Sequence, residues 1–96
     1  MPRPRKRRRL ARRSTPGTLI YKPAGVPLDG LKRVQLLPEE LEALRLADLE
    51  GLEQVQAAEL MGVSRSTFQR ILAKARRQVS LALVGGDALQ VVNGEG

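Results

Sequence analysis

Apolar positions at helical spacing, cut by glycines, predict three helices in the second half of the chain. The first spans about 38–49. Pro38 suits a first turn, where its missing N–H costs nothing. Glu39, Glu40 and Glu42 then favour the positive end of the helix dipole, and Gly51 ends the segment. The second helix spans about 53–61 and stops at Gly62. Ser64 is a good N-cap for the third, which continues to about Val84, roughly 30 Å, before Gly85 and Gly86 close it. Residues 18–22 and 89–92 have strand-like composition, and 32–36 read as another short extended piece. Between them, Pro23, Gly25, Pro27 and Gly30 mark a loop. No internal repeat is present.

The first helix has more leucine than one interface needs. Leu41, Leu44 and Ala47 form one stripe, while Leu46 and Leu49 lie about 140° and 80° from Leu41. A helix apolar on two faces is usually covered on both. The cover is either the chain's own strands or a second copy, and the reading favours a homodimer.

Residues 54–73, QVQAAELMGVSRSTFQRILA, carry the spacing of a helix-turn-helix. Ala58 is small where two helices would cross. Gly62, four residues on, sits where positive φ is expected. Ala57, Met61, Val63, Phe68 and Ile71 are apolar at interior positions. On the third helix, Phe68, Ile71, Leu72, Ala75, Val79, Ala82 and Leu83 form one stripe, and Ser66, Arg70, Lys74 and Arg77 lie opposite.

Charge sharpens this picture. Of 17 cations, eight (Arg3, Arg5, Lys6, Arg7, Arg8, Arg9, Arg12, Arg13) fall within residues 1–13, which hold no acid. The rest of the chain is nearly balanced but segregated. Residues 38–63 carry seven acids and one Arg, whereas 64–84 carry five cations and no acid. An ordinary solvated face mixes both signs, so an acid-free helix face suits a polyanion. In a helix-turn-helix the start of the second helix enters the major groove. Arg65, Ser66, Thr67, Gln69 and Arg70 are therefore the candidates for base edges, with Gln matched to adenine and Arg to guanine. Ser64, Lys74, Arg77 and the eight cations of the arm are the candidates for phosphates.

The resulting organisation is a disordered basic arm at 1–17, an extended and loop segment at 18–37, a helix-turn-helix domain at 38–84, and a strand with a tail at 85–96. Tyr21 and Phe68 are the only aromatics, so the core is aliphatic. With no Cys and no His, disulfides, thiol or imidazole catalysis and the usual zinc sites are excluded. Glu39 and Glu40, adjacent on a helix, do not make a catalytic pair. The reading is of a non-enzyme without metal or cofactor. No apolar run could span a membrane, and a cytoplasmic location is expected.

LPEELEALRLADLEGL followed by AAELMGVSRSTFQRILAKAR resembles the helix-turn-helix of bacterial sigma-factor region four. MPRPRK, YKPAGVPL and GVSRSTFQRIL together resemble a narrower group, the short bacterial and archaeal proteins known as uncharacterised predicted DNA-binding proteins (the UPF set). The resemblance covers nearly the whole chain. It implies an all-α core, a three-helix helix-turn-helix of the winged-helix-like superfamily, with short β-strands near both ends. Such proteins usually carry Ser or Thr before the second helix, where this chain has Glu53. Some relatives have cysteines near the N-terminus, and this chain has none, so a metal role does not carry over. The expected function is sequence-specific binding of double-stranded DNA by a transcriptional regulator. The alternatives are an adaptor that binds RNA polymerase or another protein through the acidic helices, and a general nucleic-acid coater driven by the arm.

Overall fold

The computed structural model describes residues 18–92. The arm at 1–17 and the tail at 93–96 lie outside the described residues. Strand β1 (Thr18–Tyr21) is followed by a single 3-10 turn (Leu28–Gly30) inside the expected loop, and then by β2 (Arg33–Leu36). Helix α1 (Pro38–Leu44) passes into one wide turn (Arg45–Leu49), and α2 (Gln54–Met61), α3 (Arg65–Gly85) and β3 (Ala88–Val92) complete the chain.

The start of α1 is fixed by Glu40, whose carboxylate reaches back to accept the N–H of the cap residue Leu37 at 2.9 Å. This is half of a capping box, because the Leu37 side chain cannot return an acceptor. In the wide turn the N–H of Glu50 donates to the carbonyl of Arg45, five residues back, at 2.9 Å. Arg45 braces this turn from outside through Glu42 (2.7 Å) and Glu50. The N-cap of helix α2 is Glu53, which makes no side-chain cap bond, as the missing Ser or Thr predicts. It ends at Gly62, with φ of 72°, and the next N–H (Val63) bonds back to Ala58 at 3.0 Å, so a Cβ at position 62 would be strained. At Ser64 the expected cap is present: its Oγ accepts the N–H of Thr67 at 3.1 Å.

The three strands form one sheet in the order β1-β3-β2. β3 is antiparallel to β1, with Thr18 opposite Val92, and parallel to β2, with Arg33 opposite Ala88. A parallel pair needs a long crossover, and here all three helices supply it. Stretches read from the sequence as flanks of a helical domain thus close on each other in space.

The core has two parts. Ala43, Leu46, Ala57, Ala58, Phe68 and Leu72 are buried between the helices, and Leu36, Ala75 and Val91 are buried between α3 and the sheet. Leu44 packs against both. This arrangement corrects the leucine assignment. Leu46 is covered by α2 and α3 of its own chain, whereas Leu41 is 40% and Leu49 is 79% exposed. The strands pack on α1 and α3 and leave Leu49 uncovered. Leu83, expected in the buried stripe, is 76% exposed, since α3 outruns its cover and Ala82 is its last buried residue. Among the described residues no helix is long and apolar enough to cross a membrane.

Candidate nucleic-acid interface

The rotation of α3 is set from within. Phe68, Leu72 and Ala75 are fully or almost fully buried, which turns Arg65, Ser66, Gln69, Arg70, Lys74 and Arg77 outward; all six are exposed. The small residues Ala57 and Ala58 of α2 are buried against the same core, so the two helices approach closely.

At the start of α3 the polar side chains are linked. The Ser64 hydroxyl donates to Thr67 Oγ1 at 3.0 Å and lies 3.3 Å from Ser66 Oγ. The Arg70 guanidinium donates to Thr67 Oγ1 at 3.2 Å. Thr67, expected among the base contacts, is half-buried, and its hydroxyl accepts from Ser64 and Arg70. From α2, Gln54 Oε1 accepts from Gln69 Nε2 at 2.7 Å. One short helical face therefore gathers Arg65, Ser66, Gln69 and Arg70, together with Gln54, which the sequence alone did not single out.

Further along, the cations divide. Lys74 Nζ stands 3.4 Å from the buried carboxylate of Glu40. Arg76 donates twice to Asp48, at 3.1 and 2.6 Å. Those two hydrogen bonds hold the Asp48 carboxyl below its ordinary range and raise the Arg76 guanidinium above its own. Hydrogen bonding to Glu42 likewise raises Arg45. Arg77 projects about two turns beyond Arg70, beside a shallow groove of about 360 Å³ lined by Ser80, Leu81, Val84, Gly85 and Asp87. The acidic segment and the basic helix, distinguished by charge in the sequence, thus meet at two points on the flanks of α3. Arg65, Arg70 and Arg77 have no carboxylate partner among the described residues. The eight cations of the arm lie outside the described residues. Also among the described residues, no group of three His, Cys, Asp or Glu is placed to hold a metal ion.

Over its whole length, residues 1–96, the chain matches the family model described as protein of unknown function DUF134. The chain belongs to the DUF134 family. A UPF0251 protein of Pelotomaculum thermopropionicum is 51% identical over 94 residues, covering 98% of this chain and 70% of that relative. A UPF0251 protein of Dehalococcoides mccartyi is 54% identical over 94 residues, covering 98% of this chain and 79% of the relative. One from Desulforudis audaxviator is 55% identical, with 60% of its length covered. The UPF resemblance read from the sequence motifs is borne out at the level of the family. No solved structure matches the chain.

Proposed function

We propose that this DUF134 protein binds double-stranded DNA in a sequence-specific manner and acts as a transcriptional regulator. In this reading α2, the turn at Gly62 and α3 are the helix-turn-helix of a winged-helix-like three-helix unit, and the first turns of α3 enter the major groove. The observation that carries it is the outward face of α3. Arg65, Ser66, Gln69, Arg70 and Arg77 share it with no acid, while acids of the α1 segment engage Lys74 and Arg76 on the flanks. A solvent-exposed face of this sign attracts a polyanion, more strongly at low salt. The residues at its N-terminal end are those suited to base edges.

The test is selection from a random duplex pool with the full-length protein, followed by binding of the enriched site across a salt series. Enrichment of one sequence and a negative log–log salt slope are expected. Arg70→Ala should then cost about 1–3 kcal/mol on that site and relax the preference at one base position. A pool that enriches nothing, or an Arg70→Ala loss that is equal on all sequences, would overturn base reading by this face.

A further inference from the structure

Gln69 and Gln54 come from different helices and are fifteen residues apart, yet their amides are joined by a 2.7 Å hydrogen bond on an exposed surface. Long flexible side chains rarely hold one geometry in water unless something fixes them. Here the anchor is good. Gln54 is the first residue of α2, and α2 is held by Ala57 and Ala58, which are 0% and 3% exposed. Gln69 follows directly on Phe68, which is 0% exposed. Both backbones are therefore pinned at the core, and only the two side chains bridge the gap.

With Gln54 Oε1 as the acceptor, the Gln69 amide turns its nitrogen towards α2. One N–H of Nε2 is spent on Gln54 Oε1. The other N–H and Oε1 remain, and a donor beside an acceptor is what adenine offers in reverse at N7 and N6 in the major groove. A free glutamine can turn its amide over and present either order to a base. A glutamine held by an acceptor presents one.

We propose that Gln54 is a positioning residue for base recognition: its carbonyl oxygen locks the Gln69 amide in the orientation that selects adenine at one position of the site. The inference rests on the DNA-binding reading above. It assigns specificity to a residue of the supporting helix that itself need not touch a base. What Gln54 must supply is an acceptor at Oε1. Glutamate at this position keeps that acceptor, whereas methionine keeps the length and loses it.

The experiment uses the full-length protein and the site selected by the wild type. The base position read by Gln69 is identified as the one whose preference disappears in Gln69→Ala. Binding is then measured with each of the four bases at that position for wild type, Gln54→Met and Gln54→Glu, alongside thermal melts. The wild type should prefer adenine there by about tenfold or more. In Gln54→Met that preference should fall to about twofold or less, with preferences elsewhere in the site and the melting temperature retained. Gln54→Glu should keep the adenine preference while losing affinity for all sequences, because it adds a negative charge near phosphates. Gln54→Met with the adenine preference intact would overturn the proposal, as would a base other than adenine at that position. So would a loss of preference at every position alike, which would mean a structural role. If the wild type enriches no sequence, the DNA-binding reading itself falls; if it enriches one and Gln54→Met behaves as wild type, only the role of Gln54 falls.

Discussion

Replacing Glu40 tests how the acidic helix supports the basic one. Glu40 is 2% exposed, and its two oxygens have different tasks. Oε1 accepts the Leu37 N–H at 2.9 Å, and Oε2 faces Lys74 at 3.4 Å. Glu40→Ala strands the Leu37 N–H and removes a charge-assisted bond, together costing about 1.5–3 kcal/mol. Lys74 is 60% exposed, so loss of its ion pair adds at most about 1 kcal/mol. The total of about 1.5–4 kcal/mol should lower the melting temperature by roughly 6 °C or more, at about 4–8 °C per kcal/mol for a domain this small. Glu40→Gln keeps an acceptor for Leu37 and no longer buries an anion, so its cost should stay below about 1 kcal/mol. Urea and thermal unfolding followed by circular dichroism measure both. In either variant Lys74 is released towards solvent. If α3 faces DNA, duplex affinity at low salt should rise, and the log–log salt slope should steepen by up to about 0.9. Equal destabilisation by alanine and glutamine would refute the assignment of the main role to the Leu37 cap. An alanine cost under about 0.5 kcal/mol would refute the importance of the buried carboxylate altogether.

Deleting residues 1–13 should lower affinity for every duplex and reduce the salt slope by about 0.9 for each lost phosphate contact; an unchanged slope would show that the arm does not touch the duplex. Leu46→Ala, at a site 1% exposed, should cost about 2–5 kcal/mol. Leu49→Glu, at 79% exposure, should stay within about 0.5 kcal/mol of wild type, and a change of mass in light scattering would instead show a second copy covering Leu49. Asp48, lowered by its hydrogen bonds to Arg76, favours folding above its unfolded pKa, and that contribution disappears as pH falls through the lower folded value. Asp48→Asn should therefore be slightly less stable than wild type at neutral pH, with the difference closing at pH below the ordinary carboxylate range. The effect is small because both side chains are about half exposed; a gap that widened in acid would refute this sign.

The helices were legible because their ends are written in local chemistry. Pro38, Gly62, Ser64 and Gly86 act within a few residues of themselves, and the structure places each where its type predicts. The strands were legible singly but not as a sheet. Nothing local to residues 33–36 states that they lie parallel to 88–92 across all three helices. The leucines misled for a related reason. A period of 100° per residue identifies which side chains share a face, but not how far a neighbouring element extends to cover it. Leu83 belongs to the stripe by angle and is bare, although its neighbour Ala82 is buried. Leu49 sits in the wide turn, where the α-helical angle no longer applies.

The candidate site divides along the same line. Ser64, Ser66, Gln69 and Arg70 were found by their place in one helix. Gln54 and the role of Thr67 needed the structure, because what matters in each is a hydrogen bond between particular side chains. Charge gives the most informative case. The sequence shows five cations between 64 and 84 and reads them as one surface. In space Asp48 takes Arg76 from one flank, and Glu40 draws Lys74 on another. With those two cations paired, Arg65, Arg70 and Arg77 are the cations of α3 without a carboxylate partner among the described residues, in a strip that runs from Arg65 to Arg77. About 12 residues of helix at 1.5 Å each make that strip roughly 18 Å long. On the DNA-binding proposal, the first two turns, with their hydrogen-bonded side chains, are the part equipped to discriminate among bases, and Arg77 would meet a phosphate on the groove wall. If α3 does face DNA, Glu40 and Asp48 would then lower the pull of Lys74 and Arg76 on phosphates and leave that role to Arg65, Arg70 and Arg77.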